Sequence, residues 1–155
     1  MPGMPFETAV LDTNTVLDWL VFHDPATAGL AARIESGTLV WRASPAMRRE
    51  FELVLPRECF ARWRPDAAAS ASAWDRLACM DASEPPPGRL LCSDPDDQVF
   101  IDLALHHGCT WLISRDRALL RLARPAAAWQ VTVLTPLAWL ARETAPLPAR
   151  AQRKA

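Results

Sequence analysis

Four carboxylates each follow a short apolar segment of the chain: Asp12, Glu50, Asp97 and Asp116. If the four converge, their charges repel, and one or more of the groups must stay protonated. A divalent cation held among them removes that cost. Because no His or Cys has suitable spacing to join them, the oxygen-only set favours Mg²⁺ or Mn²⁺ over Zn²⁺. Such ions commonly act on phosphates, so the four acids indicate phosphodiester hydrolysis.

Predicted strands and predicted helices alternate along the chain, and these elements must position the four acids. Short apolar runs predict strands covered on both faces, at residues 8–11, 38–43, 89–92, 110–114 and 130–134. Helix starts are marked by a capping residue followed by proline, at residues 24–25, 44–45, 94–95 and 135–136. Gly37 and Gly108 mark two helix ends, residues 65–81 predict a further helix, and residues 84–88 predict a stiff loop.

This alternation predicts an α/β fold, a three-layer α/β/α sandwich around a central, mainly parallel sheet of four to five strands. In such folds, ligands bind beyond the carboxyl ends of the strands. Since the acids follow strands, we expect them to meet at that edge of the sheet.

Composition predicts the domain organisation and the cellular location of the protein. The chain has 155 residues, of which 50% are apolar and 23% charged, with a net charge of −1. These values predict one globular domain, at residues 1–145, followed by a disordered basic tail at residues 146–155. Acids interrupt the apolar N-terminal run, which predicts neither a signal peptide nor a membrane span. The four cysteines form no C-x-x-C pair, as expected for reduced thiols in a cytoplasmic protein.

Five blocks of the sequence resemble the PIN-domain nucleases. They read VLDTNTVLDWL, SPAMRREFELVL, DPDDQVFIDLALHHG, TWLISRDRALLRL and VTVLTPLAWL, and they extend over residues 9–140. The resemblance is closest to the bacterial subgroup classed as toxin components of toxin–antitoxin pairs. It implies a PIN-like version of the predicted sandwich.

Matched residue by residue, the resemblance gives the catalytic and metal-binding positions to Asp12, Glu50, Asp97 and Asp116. Asn14 takes a polar position from which it would orient Asp12 or hold a water molecule, and Ser114 takes a small hydroxyl position. Helical geometry does not choose between Asp96 and Asp97 as the third acid. Spacing against the family favours Asp97, so Asp96 is a further candidate metal ligand.

Each of these acids also has a purely structural explanation. Asp12 and Asp116 could simply cap helices, and Asp94 is expected to do so. A glutamate on a helix, such as Glu50, is usually a solvated surface residue. Their joint occurrence, in order along the chain and each after a predicted strand, favours a catalytic site.

Arginines next to these acids could bind RNA phosphates. They are Arg48, Arg49, Arg115 and Arg117. For each one singly, an ordinary solvated side chain explains the residue at least as well.

The activity implied by the resemblance is Mg²⁺- or Mn²⁺-dependent cleavage of single-stranded RNA, with water as nucleophile and a 5′-phosphate left on the product. A toxin of this kind would be restrained by an antitoxin protein, and exposed tryptophans could form a homodimer interface. One alternative is a catalytically silent PIN-like module that binds RNA or protein. Another is a haloacid-dehalogenase-type phosphohydrolase, which fits poorly because it needs a second Asp where Asn14 stands.

Overall fold

A computed structural model describes residues 6–58 and 67–144. Cys59, the start of the helix predicted at 65–81 and the tail predicted at 146–155 fall outside these ranges. The described elements, apart from two short 3₁₀ turns, are β1 (Glu7–Leu11), α1 (Thr13–Leu20), α2 (Ala28–Ser36), β2 (Leu39–Ala43), α3 (Pro45–Glu58), α4 (Ala67–Leu77), β3 (Ala78–Met80), α5 (Gln98–His107), β4 (Trp111–Ile113), α6 (Arg117–Leu120), α7 (Ala123–Ala127), β5 (Thr132–Leu134) and α8 (Pro136–Thr144).

The five strands form one parallel sheet in the order β3-β2-β1-β4-β5. Every residue of β4 and the last three residues of β1 are buried, so helices cover both faces of the sheet centre. The predicted α/β sandwich is thereby confirmed. No described helix combines the length and the apolar character needed to cross a lipid bilayer.

The chain reverses its direction across the sheet at β1. It first moves from β1 to β2 and β3, and then returns to place β4 on the opposite side of β1. Ala9 of β1 lies in register with Trp41 of β2 and with Trp111 of β4. In parallel α/β folds, ligands bind beyond the carboxyl ends of the strands on either side of such a reversal, here β1 and β4.

The predicted cap-and-proline starts are confirmed. Asp24 and Asp94 each open a 3₁₀ turn, at Pro25–Thr27 and Pro95–Asp97, that leads into α2 or α5. The Thr135 hydroxyl accepts a hydrogen bond from the Ala138 amide at the start of α8. Helices α2 and α5 end at the predicted glycines, Gly37 and Gly108, both in the left-handed conformation that glycine adopts most readily.

The strand predicted at residues 89–92 is wrong. Its backbone is satisfied by a side chain instead of a neighbouring strand: the Gln98 amide nitrogen donates to the Leu90 carbonyl at 2.8 Å, and the Gln98 carbonyl oxygen accepts from the Cys92 amide at 2.7 Å. Leu91 is 85% exposed, which a buried strand residue could not be. The acids at residues 94–97 therefore follow a loop.

The third strand lies earlier, inside the helix predicted at 65–81. Helix α4 ends at Leu77, and Ala78–Met80 pairs with β2 as an edge strand. No glycine or proline marks this junction, so the alanine-rich sequence reads as continuous helix.

Trp41 anchors the core on the β2 side of the sheet. Its ring is fully buried and meets Trp19 and Trp74 edge to face, with centroids 5.4 Å and 4.6 Å apart. Trp41→Ala is expected to lower the free energy of unfolding by about 3–5 kcal/mol, because it removes these contacts and leaves a cavity. Urea denaturation followed by circular dichroism measures this loss.

A matched control is Trp129→Ala, at a tryptophan that is 43% exposed. It should change stability by less than about 1 kcal/mol. Equal losses in the two variants would contradict the placement of Trp41.

Candidate active site at the carboxyl edge of the sheet

Asp12 lies at the end of β1 and is 3% exposed. The amide of Thr15 donates to its Oδ1 at 2.8 Å, which caps α1. The hydroxyl of Ser114, just after β4, donates to its Oδ2 at 2.5 Å. Burial raises the pKa of Asp12 above the ordinary aspartate value, the hydrogen bonds from Ser114 and Thr15 oppose this, and the Asp116 carboxylate adds to the rise.

Asp116 is joined to Asp12 through the same hydroxyl. Its amide donates to Ser114 Oγ at 2.8 Å, and its Oδ1 accepts from the Ala118 amide at 2.8 Å at the start of α6. Asp116 and Asp12 are thus both helix caps and neighbouring acids of the candidate site. Each cap uses a single carboxylate oxygen, so the two interpretations do not compete.

The carboxyl group of Asp97 has a strongly raised pKa of about 7. Burial is the largest cause of this rise. The hydrogen bond and charge of Asp116 come next, followed by the charges of Asp94 and Asp12. One carboxylate oxygen of Asp97, Oδ2, is buried and has no hydrogen-bond partner among the described residues. A buried, unpaired oxygen beside other carboxylates is the environment that a bound cation satisfies.

Asp94 joins this cluster. One carboxylate oxygen from each of Asp94, Asp97 and Asp116 lies within 4.8 Å of the other two. The sequence assigns Asp94 only to capping, which it also does by accepting from the Asp96 amide at 3.0 Å. Asp96 is exposed and lies outside the three-acid cluster. Of the two neighbouring aspartates, the structure brings Asp97 to the other acids.

Glu50 reaches the site from α3 on the side of Asp12. Its Oε2 accepts a hydrogen bond from the hydroxyl of Thr13, the residue that follows Asp12. Within the described residues, the three-acid cluster does not include it. Glu50 is therefore connected to the site through Thr13, and its side chain is partly buried.

Asn14 is exposed on the first turn of α1. The hydrogen bonds that hold the Asp12 carboxylate come from Thr15 and Ser114 instead. Ser114 thus contacts both Asp12 and the Asp116 amide, and its supporting role, like a water-holding role for Asn14, stays a prediction.

Three of the four candidate RNA-binding arginines form ion pairs with acids, two of them at 3.3 Å or less. Arg48 pairs with Asp75 at 3.1 Å and with Glu52 at 3.3 Å. Arg115 pairs with Asp18, a buried residue of α1 that the sequence does not single out. Arg49 is 66% exposed, with Glu84 at 4.0 Å, and Arg117 is exposed.

Asp94, Asp97 and Asp116 therefore form an anionic cluster, and Asp12 lies next to it, joined to Asp116 through the Ser114 hydroxyl beyond the carboxyl ends of β1 and β4. All the donor atoms are carboxylate oxygens, which suits a hard divalent ion such as Mg²⁺ or Mn²⁺. The unpaired oxygen of Asp97 supports that fit from the structure itself.

A family model described as a PIN domain matches residues 8–118, which include all four acids named from the sequence. A search of curated proteins found no match. The matched region runs from β1 to α6 and covers more than half of the chain, so the protein belongs to the PIN-domain family.

Proposed function

We propose that the protein is an endoribonuclease that cleaves single-stranded RNA by water attack on the phosphodiester and depends on Mg²⁺ or Mn²⁺. Membership of the PIN family supports nuclease chemistry, since PIN domains are in general nucleases. The observation that carries the metal dependence is the buried carboxylate oxygen of Asp97, which has no hydrogen-bond partner in the described part of the chain and lies beside Asp94 and Asp116.

The residues that would hold the ion are Asp12, Asp97 and Asp116, with Glu50 beside them and Asp94 added by the geometry. When bound, the ion supplies Lewis-acid activation of the attacking water and charge stabilisation at the phosphate. Ser114 holds Asp12 and the Asp116 backbone at one hydroxyl, so it fixes the two acids relative to each other. We leave Asp96 out of the proposed ligands because its side chain is exposed and is not one of the three clustered acids.

The proposed biological role goes further than the proposed reaction. We place the nuclease domain at residues 1–145 of a cytoplasmic, bacterial protein and propose that it is the toxin of a toxin–antitoxin pair. A small antitoxin protein would then occlude the acidic site, and the protein could form a homodimer. A small open reading frame next to the gene, and co-purification of its product with this chain, would support the pairing.

The cleavage test uses the full chain, a 5′-labelled single-stranded RNA and Mn²⁺. We expect cleavage products with 5′-phosphate ends and complete inhibition by EDTA. Double-stranded RNA of the same sequence serves as the substrate control. Binding of RNA without cleavage, indifferent to metal, would instead identify the silent binding module.

The haloacid-dehalogenase alternative is disfavoured by the PIN-domain match. The same preparation can be assayed on a small phosphate monoester. Turnover of the monoester in place of RNA would favour that alternative.

A further inference from the structure

An ion pair next to the acidic site joins two elements that carry its carboxylates. The Arg115 guanidinium donates from Nε to Asp18 Oδ2 at 2.9 Å and from Nη2 to Asp18 Oδ1 at 3.1 Å. These paired bonds match the planar fork of arginine to the two oxygens of one carboxylate. The Asp18 side chain is 10% exposed, so the arginine reaches in to a buried partner.

The two residues belong to the segments that hold the site together. Arg115 stands between Ser114 and Asp116, in the turn from β4 to α6. Asp18 lies on α1, the helix that Asp12 caps. Ser114 already bridges Asp12 and the Asp116 amide, and the ion pair is a second link between the same two segments.

This second link bears on the short turn that carries Asp116. The Ser114 hydroxyl fixes this turn at a single atom, about which the turn can still be displaced relative to α1. A bidentate pair anchored on a buried carboxylate resists that displacement with fixed geometry.

We propose that Arg115 is a positioning residue, which acts through Asp18 to hold the 114–116 turn against α1 and so sets the placement of Asp116 relative to Asp12. The proposal rests on the proposed nuclease function for its catalytic readout. It assigns the Arg115 guanidinium to the Asp18 carboxylate, in place of the phosphate contact that the sequence suggests.

Three variants test it: Asp18→Asn, Arg115→Gln and the double variant. Each single variant should lower kcat on RNA by about tenfold or more, with KM changed by less than about twofold, because a misplaced acid affects the reaction more than RNA binding. Each should also weaken Mn²⁺ affinity, measured by calorimetry, by about tenfold. The double variant should lose no more than the worse single variant, since both changes break one link.

Arg115→Lys should recover only part of kcat, because one ammonium cannot form the paired bonds. The matched control is Arg33→Gln, which removes an arginine paired with Glu7 at 3.0 Å at the start of β1, the opposite edge of the sheet. It should leave kcat and Mn²⁺ affinity unchanged.

Two results would overturn the proposal. One is a raised KM with unchanged kcat in Arg115→Gln together with wild-type kinetics in Asp18→Asn, which would mark Arg115 as a phosphate contact. The other is additive loss in the double variant. If the wild-type chain cleaves no RNA, the proposed function fails, and the Mn²⁺ affinities of the same variants still decide whether the pair positions the acids.

Discussion

Asp12→Asn is expected to lower kcat/KM for RNA cleavage by about a thousandfold or more, a loss of about 4 kcal/mol in transition-state stabilisation. The substitution keeps the shape of the side chain and removes its charge. Because Asp12 is nearly fully buried between β1 and β4, solvent cannot replace that charge. Mn²⁺ affinity should fall as well, as measured by calorimetry.

The fold should survive this change. An asparagine oxygen can still accept from the Thr15 amide and cap α1, and Ser114 can accept from the new amide nitrogen. Circular dichroism and urea denaturation check that the variant is folded. Glu35→Gln, at an exposed carboxylate on α2, is the control for loss of one negative charge. Retention of more than about a tenth of wild-type cleavage by Asp12→Asn would contradict the role of Asp12.

Asp97→Asn is expected to stabilise the metal-free protein at pH 8 while it removes cleavage. The pKa of Asp97 is about 7 in the folded chain, against an ordinary value of 3.8. Between these values the folded state binds more protons than the unfolded state, so stability falls as pH rises from about 4 to about 7 and stays low above it. The asparagine cannot ionise and escapes this loss.

The gain at pH 8 should be about 1–2 kcal/mol once solvent screening is allowed for, or about 3–6 °C in Tm. Burial and the neighbouring Asp116 carboxylate are the main causes of the raised Asp97 pKa, so the pH dependence reports the surroundings of Asp97. Thermal unfolding in EDTA at pH 5 and pH 8 measures it. Mn²⁺ at pH 8 should raise the Tm of the wild type far more than that of the variant.

Asp96→Asn provides the matched control for this prediction. It changes the neighbouring aspartate, whose exposed side chain lies outside the cluster. Its unfolding in EDTA should follow the wild-type pH dependence. A destabilised Asp97→Asn at pH 8, or the same gain from Asp96→Asn, would contradict the electrostatic account of the cluster.

The sequence predicts the helix starts, and the two acids that directly follow strands, because both depend on local chemistry. A capping oxygen followed by proline is a strong local signal, and Thr135-Pro136 opens α8 as expected. Asp12 and Asp116 follow strands whose apolar runs are unambiguous, and the resemblance supplies their common identity. Their convergence then follows from parallel strands that end at one edge.

The features that the sequence misses depend on long-range contacts. Nothing local reveals that Gln98 satisfies the backbone at Leu90 and Cys92, so an apolar loop reads as a strand. The same limit applies to Asp18 and Arg115, which are 97 residues apart along the chain. Only the packing of α1 beside the β4–α6 turn makes them partners.

Asp94 was missed for a different reason. An aspartate directly before a proline is fully explained as a helix cap, so the sequence gives no reason to assign Asp94 a second role. A carboxylate has two oxygens, however, and the Asp96 amide bonds only one of them. A cap next to other acids can therefore also be a ligand.

The most direct test is a crystal structure of the wild-type protein soaked in Mn²⁺, with anomalous scattering recorded at the manganese edge. We expect an anomalous peak bonded to carboxylate oxygens of Asp97 and Asp116, beside Asp12, at about 2.0–2.3 Å. No peak at this site in fully soaked crystals, or a peak held by other residues alone, would contradict the assignment of a metal site to these acids.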